Sequence, residues 1–76
     1  MLFDEVREII SNQLEISEDE IENDSRLYED LGAGSADMVD IGMTIEEQYS
    51  IEVTEDTLEE MEIVGDIVAF IESNID

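Results

Sequence analysis

The chain has 76 residues, of which 24 are Asp or Glu and only two are basic, Arg7 and Arg26, for a formal net charge of -22 at pH 7. That acidity excludes nucleic acid and anionic membranes as partners and steers the molecule toward basic protein surfaces. It contains no Cys and no His, so a disulfide framework, a structural metal site and the commonest general base are all missing, and the chain is not expected to be an enzyme.

Size adds to this. A domain this short buries only about 60% of the surface that its unfolded chain exposes, which leaves little room for a deep catalytic pocket. High net charge alone would suggest disorder, but 42% of the residues are hydrophobic and they recur at helical intervals, so a folded chain is expected, marginal at low salt. The start, Met1-Leu2-Phe3-Asp4-Glu5, has no basic leader, and no apolar run approaches the roughly 20 residues of a membrane span. A cytoplasmic protein is expected.

From Phe3 to Leu14, apolar residues fall at Phe3, Val6, Ile9, Ile10 and Leu14, with Asp4, Glu5, Arg7, Glu8 and Asn12 on the other face. This spacing predicts an amphipathic helix, with Asp4 and Glu5 suited to the positive end of its dipole. A long connection follows, about Glu15 to Gly34. Within it Ser17 and Glu20 have the spacing of a capping box, while Ile16, Ile21, Leu27 and Leu31 are too irregular for a helix and pin the loop to the core. So long a loop in a compact domain is often functional.

The next helix is predicted from Ser35 to about Tyr49. Met38, Ile41, Ile45 and Tyr49 make its apolar stripe, with Val39 and Gly42 at the edge and Asp37, Asp40, Glu46 and Glu47 opposite. Ser35 is expected at the N-cap, its hydroxyl accepting from the first turn, and Gly42 costs about 1 kcal/mol relative to Ala. After the linker Ile51-Glu52-Val53, Thr54 caps a brief helix from Glu55 to Glu60, with Leu58 and Met61 turned inward; a last helix, about Val64 to Ser73, presents Val64, Ile67, Val68 and Ile71, with Phe70 nearby. The expected fold is all-α: one domain over residues 1–76, a bundle of three main helices plus one short one.

Few residues carry chemistry. The acidic stretches near Asp19 and Asp24 lack the ligand spacing of a calcium loop, and no carboxylate pair stands out from a solvated face. What remains is Asp30-Leu31-Gly32-Ala33-Gly34-Ser35-Ala36-Asp37. It reads either as a glycine turn before an N-capping serine, or as a modified serine whose phosphodiester would meet the free N–H groups of a helix start.

The chain resembles a bacterial acyl carrier protein over nearly its full length. Glu29-Asp30-Leu31-Gly32-Ala33 matches the family's run before its modified serine, and Ser35 falls on that serine. Val39-Asp40, Ile45-Glu46-Glu47 with Tyr49, Ile51-Glu52-Val53 and Val64-Gly65-Asp66-Ile67-Val68 match downstream; Val6, Ile9-Ile10 and Gln13-Leu14 match upstream.

The resemblance implies a four-helix carrier fold with a long loop between helices 1 and 2, and 4'-phosphopantetheine attached covalently at Ser35 by a phosphopantetheinyl transferase. Acyl groups would then be held as thioesters, in fatty-acid biosynthesis or in a specialised polyketide, peptide or lipid pathway. It implies a monomer whose acidic face, Asp37, Asp40, Glu46 and Glu47 with Met43 among them, docks on basic patches of acyl-processing enzymes. An acyl chain sheltered in the bundle, with Gly42 supplying space, is a further expectation. The rival reading is an unmodified acidic interaction module.

Three departures matter: Gly34 and Ala36 replace the Asp and Leu that flank the family's serine, Thr54 stands for a proline, and Glu62-Ile63 replace a Thr-rich entry to the last helix. That last start is expected to be less well capped.

Overall fold

The computed structural model describes residues 1–75; Asp76, the end of the expected domain, lies outside them. Among the described residues there are four α-helices, α1 (Leu2–Leu14), α2 (Ser35–Tyr49), α3 (Glu55–Glu60) and α4 (Val64–Asn74), with a 3-10 turn at Glu18–Glu20 in the long first connection. The expected boundaries differ only at Leu2 and Asn74.

Helix periodicity builds the core. Val6, Ile9 and Ile10 of α1, Met38, Ile41 and Ile45 of α2, and Val64, Ile67 and Ile71 of α4 converge in one cluster. Removing a residue such as Ile10 or Ile67, both fully buried, to Ala would cost about 2–5 kcal/mol. Val39 is not an edge of this stripe: it is 47% exposed.

Backbone pairing, as well as apolar contact, holds the long connection. Ile21, Leu27 and Ala33 are buried, and Arg26 forms an isolated antiparallel bridge with Ile63. There the Leu27 N–H donates to the Glu62 carbonyl (2.9 Å) and the Val64 N–H to the Ser25 carbonyl (3.1 Å); beyond it the Gly65 N–H donates to the Asn23 carbonyl (2.8 Å). Ser17 and Glu20 make the expected capping box. The loop before α2 is thereby fixed to the start of α4, which aims Ser35.

The start of α4 is well satisfied, contrary to the sequence expectation. Asp66, three residues inside, turns back so that one carboxylate oxygen accepts from the N–H groups of Glu62 (2.8 Å) and Ile63 (3.1 Å). A carboxylate in the first turn also suits the dipole, so the missing threonines are replaced from within the helix.

Candidate functional site

Two bends deliver the chain to Ser35. Asp30 folds the Arg26–Asp30 turn by accepting from the Arg26 N–H at 2.9 Å; that bond, with help from the Arg26 guanidinium, holds the Asp30 carboxyl below the usual carboxylate range. Gly32 then takes a left-handed φ of 74°, a conformation that favours glycine.

At the start of α2 the structure corrects the expected cap. Gly34, with φ -106° and ψ 175°, is the N-cap, and Ser35 is the first helical residue. The side chain that closes the helix start is Asp37, whose carboxylate accepts from the Gly34 N–H at 2.9 Å. Ser35 therefore has no capping duty. Its side chain is exposed, and among the described residues its hydroxyl has no hydrogen-bond partner. The first intrahelical bond runs from the Met38 N–H to the Gly34 carbonyl, so the N–H groups of Ser35, Ala36 and Asp37 lack intrahelical acceptors.

Ser35 lines a groove of about 240 Å³ between α2 and α3, whose apolar wall is Met38, Val39 and Leu58, with Tyr28, Glu55 and Glu59 completing the lining. A roomier groove of about 350 Å³ lies between α3 and α4, against Thr57, Met61 and Phe70; it does not reach Ser35. The smaller one is the candidate site because it adjoins the free hydroxyl. Gly42 does not supply open space to it. A Cβ on Gly42 would lie 3.2 and 3.4 Å from the Leu58 methyl groups and 3.4 Å from Val53, so Leu58 already fills that notch.

The expected acidic face divides into two kinds of carboxylate. Asp37 and Glu46 are half-buried, and each holds a backbone N–H: Asp37 that of Gly34, Glu46 that of Val53 at 2.9 Å. Asp40, Met43 and Glu47 are exposed. Asp40 accepts from the Gln13 amide at 3.2 Å, and the same amide lies 3.4 Å from Asp37.

No local sequence pattern marks Gln13 or Tyr28 as neighbours of the start of α2. Gln13 reaches α2 from 24 and 27 positions away, and Tyr28 sits in an irregular loop. At the far end of α2 the Tyr49 hydroxyl donates to Glu5 at 2.7 Å. Partial burial, then the acceptor carboxylate, push its pKa up to about 12. Among the described residues no cluster of His, Cys, Asp or Glu is arranged to hold a metal ion, and no helix is long and apolar enough to cross a membrane.

Comparison with known proteins agrees with this geometry. The phosphopantetheine attachment site family matches residues 4–71. The acyl carrier protein of Sulfurovum sp. is 46% identical over 72 residues, covering 95% of this chain and 96% of that protein. That of Wolinella succinogenes is 38% identical over 73 residues, covering 96% of each. A solved Mycobacterium tuberculosis structure, itself assigned as an acyl carrier protein, superposes with a TM-score of 0.88 across 96% of this chain and 97% of that one. At 18% identity that likeness speaks for the fold alone, and it is the expected all-α carrier fold. The chain belongs to the acyl carrier protein family, whose members hold acyl groups on a covalent 4'-phosphopantetheine.

Proposed function

We propose that Ser35 is the attachment residue and that the chain, a single monomeric carrier domain of the cytoplasm, presents acyl intermediates to the enzymes of fatty-acid biosynthesis. The observation that carries this reading is the uncommitted hydroxyl. Ser35 is exposed at the first position of α2, one residue past the Gly34 N-cap, and no backbone N–H of the first turn occupies its hydroxyl. The donors around it suit a phosphodiester: three N–H groups without intrahelical acceptors at the positive end of a 15-residue helix, a favoured place for a phosphate.

In the attachment step the Ser35 oxygen would bond to phosphorus of coenzyme A as the pyrophosphate link to the nucleotide half breaks, with the hydroxyl proton passing to the transferase. The arm supplies the terminal thiol that a chain without Cys lacks, and acyl groups ride on it as thioesters. Ser35 anchors the phosphate, the first turn of α2 faces its charge, and the groove beside it excludes water from what the arm carries. Nothing in this requires the carrier to make or break bonds itself.

Transferases and acyl-processing enzymes would dock through basic patches. Asp40, Met43 and Glu47 support that reading best, being exposed; Asp37 and Glu46 contribute charge from positions where they also hold the backbone. Complementary charge raises encounter rates and is screened by salt. Gly34 and Ala36 beside Ser35 favour, as a second reading, a specialised carrier that meets other partners than those reading Asp and Leu.

Incubation with coenzyme A and a broad-specificity phosphopantetheinyl transferase should add one phosphopantetheine mass to the intact protein, and Ser35→Ala should abolish the addition. Persistence of the added mass in Ser35→Ala would refute the assignment.

A further inference from the structure

The groove beside Ser35 has a definite inner limit. Met38 and Gly42 are one helical turn apart on the same face of α2, both buried. Met38 lines the groove, but over Gly42 the Leu58 side chain crosses from α3 and fits the notch that the missing Cβ leaves, at 3.2 and 3.4 Å from where that Cβ would stand.

We propose that Leu58, seated on Gly42, is the residue that sets how much of a carried acyl chain the protein shelters; this rests on the reading of Ser35 as the attachment site. Leu58 belongs both to the groove wall and to the contact that closes it, so its side chain divides the open groove from the core. It is only half-buried, on a six-residue helix whose start is held by Thr54 accepting from the Thr57 N–H. Behind it lie Gly42 and Val53, both without charge. A chain entering past Met38 stops against the Leu58 methyl groups. With the exposed Glu55 and Glu59 in the lining, the group admitted is a neutral aliphatic acyl chain, and an anionic acyl group stays outside.

The test uses the full chain loaded at Ser35 with saturated acyl groups from butyryl to dodecanoyl, transferred from the acyl-coenzyme A thioesters. The readout is the rate of thioester cleavage by hydroxylamine relative to the same acyl group on free pantetheine. In the wild type, protection should rise about fourfold with each carbon buried, then level off when the groove is full. Leu58→Ala should move the levelling point to longer chains by roughly four carbons, the run of one helical turn in bonds of about 1.5 Å.

Gly42→Ala places a methyl in the notch, pushes Leu58 toward the groove and should move the point to shorter chains. It also puts a better helix former into α2, so it decides the matter if Leu58→Ala loses its helical circular dichroism. An unshifted levelling point in the folded variants, or no length dependence in the wild type, would overturn the proposal. A wild-type protein that gains no mass on loading would instead overturn the Ser35 assignment, a failure visible before any rate is measured.

Discussion

Helix α2 is finished in opposite ways at its two ends. At the C-terminal end Tyr49 and Glu46 tie the helix to α1 and to the linker that follows it. Tyr49 donates to Glu5 and accepts from Gln48, and Glu46 holds the Val53 N–H. At the N-terminal end a single carboxylate, Asp37, makes the cap, and the hydroxyl one turn of chain before Met38 is left alone. One end anchors the helix and the other leaves a serine hydroxyl exposed. The lesson is that a serine at a helix start keeps its hydroxyl free when it is the first helical residue and a glycine before it is the N-cap.

Among changes at the two ends of α2, the largest effect on loading should come from removing Asp37. Asp37→Ala removes both the cap and a first-turn carboxylate, about 1–2 kcal/mol in urea melts, reduced somewhat because losing one charge relieves a chain at -22. It should also slow transferase-catalysed loading of Ser35, since the Gly34–Ser35 backbone is no longer held. Glu46→Ala frees the Val53 N–H and should cost about 1 kcal/mol, yet leave loading unchanged. If the two variants slow loading equally, the division between an anchoring and a presenting end is wrong.

An independent effect separates Tyr49, at the C-terminal end of α2, from Asp30, in the turn before its start, by pH. The Tyr49 pKa is raised in the folded state to about 12 from an ordinary 10.0, so its contribution is fully present below pH 10 and lost as pH climbs toward 12. Tyr49→Phe should flatten the fall of thermal stability across that window and leave the acid side unaltered. Asp30 has the opposite sign. Its pKa is depressed, so its contribution stands above the ordinary 3.8 and disappears as pH drops through the lower folded value. Circular dichroism melts at both extremes would read the two groups independently.

Much of this was legible in the sequence, and unevenly so. The helices and their buried stripes follow from periodicity, because Val6, Ile10, Ile41, Ile45, Ile67 and Ile71 alternate with charge at 3.6-residue spacing. Motif order is what makes Ser35 the candidate residue. The division among the acidic residues was not, because Asp37 and Glu46 look like any solvated carboxylate until the backbone N–H groups of Gly34 and Val53 are brought to them. The N-cap lies one residue before the serine for a related reason: serine is the stronger capper by type, but the Met38 N–H bonds to the Gly34 carbonyl, which starts the helix one residue earlier. Gly42 looked like spare room since a sequence shows an absent side chain and not the Leu58 that fills its place.

The smallest predicted change concerns Gly34. Its backbone, at φ -106° and ψ 175°, is extended and open to any residue, and a Cβ would meet only Asp37 at 3.6 Å, an ordinary contact. Neither strain nor crowding requires glycine there. Gly34→Ser should therefore raise stability by about 0.5–1 kcal/mol, through a stiffer unfolded chain and a better N-cap type, while loading of Ser35 stays as it was. A drop in loading with stability raised would show that the transferase needs the bare backbone beside the hydroxyl, which would make glycine part of what the presenting end offers. Gly34→Asp adds the carboxylate that basic partners attract, but sets it beside Asp37, so its gain in encounter rate at low salt should come without a gain in stability.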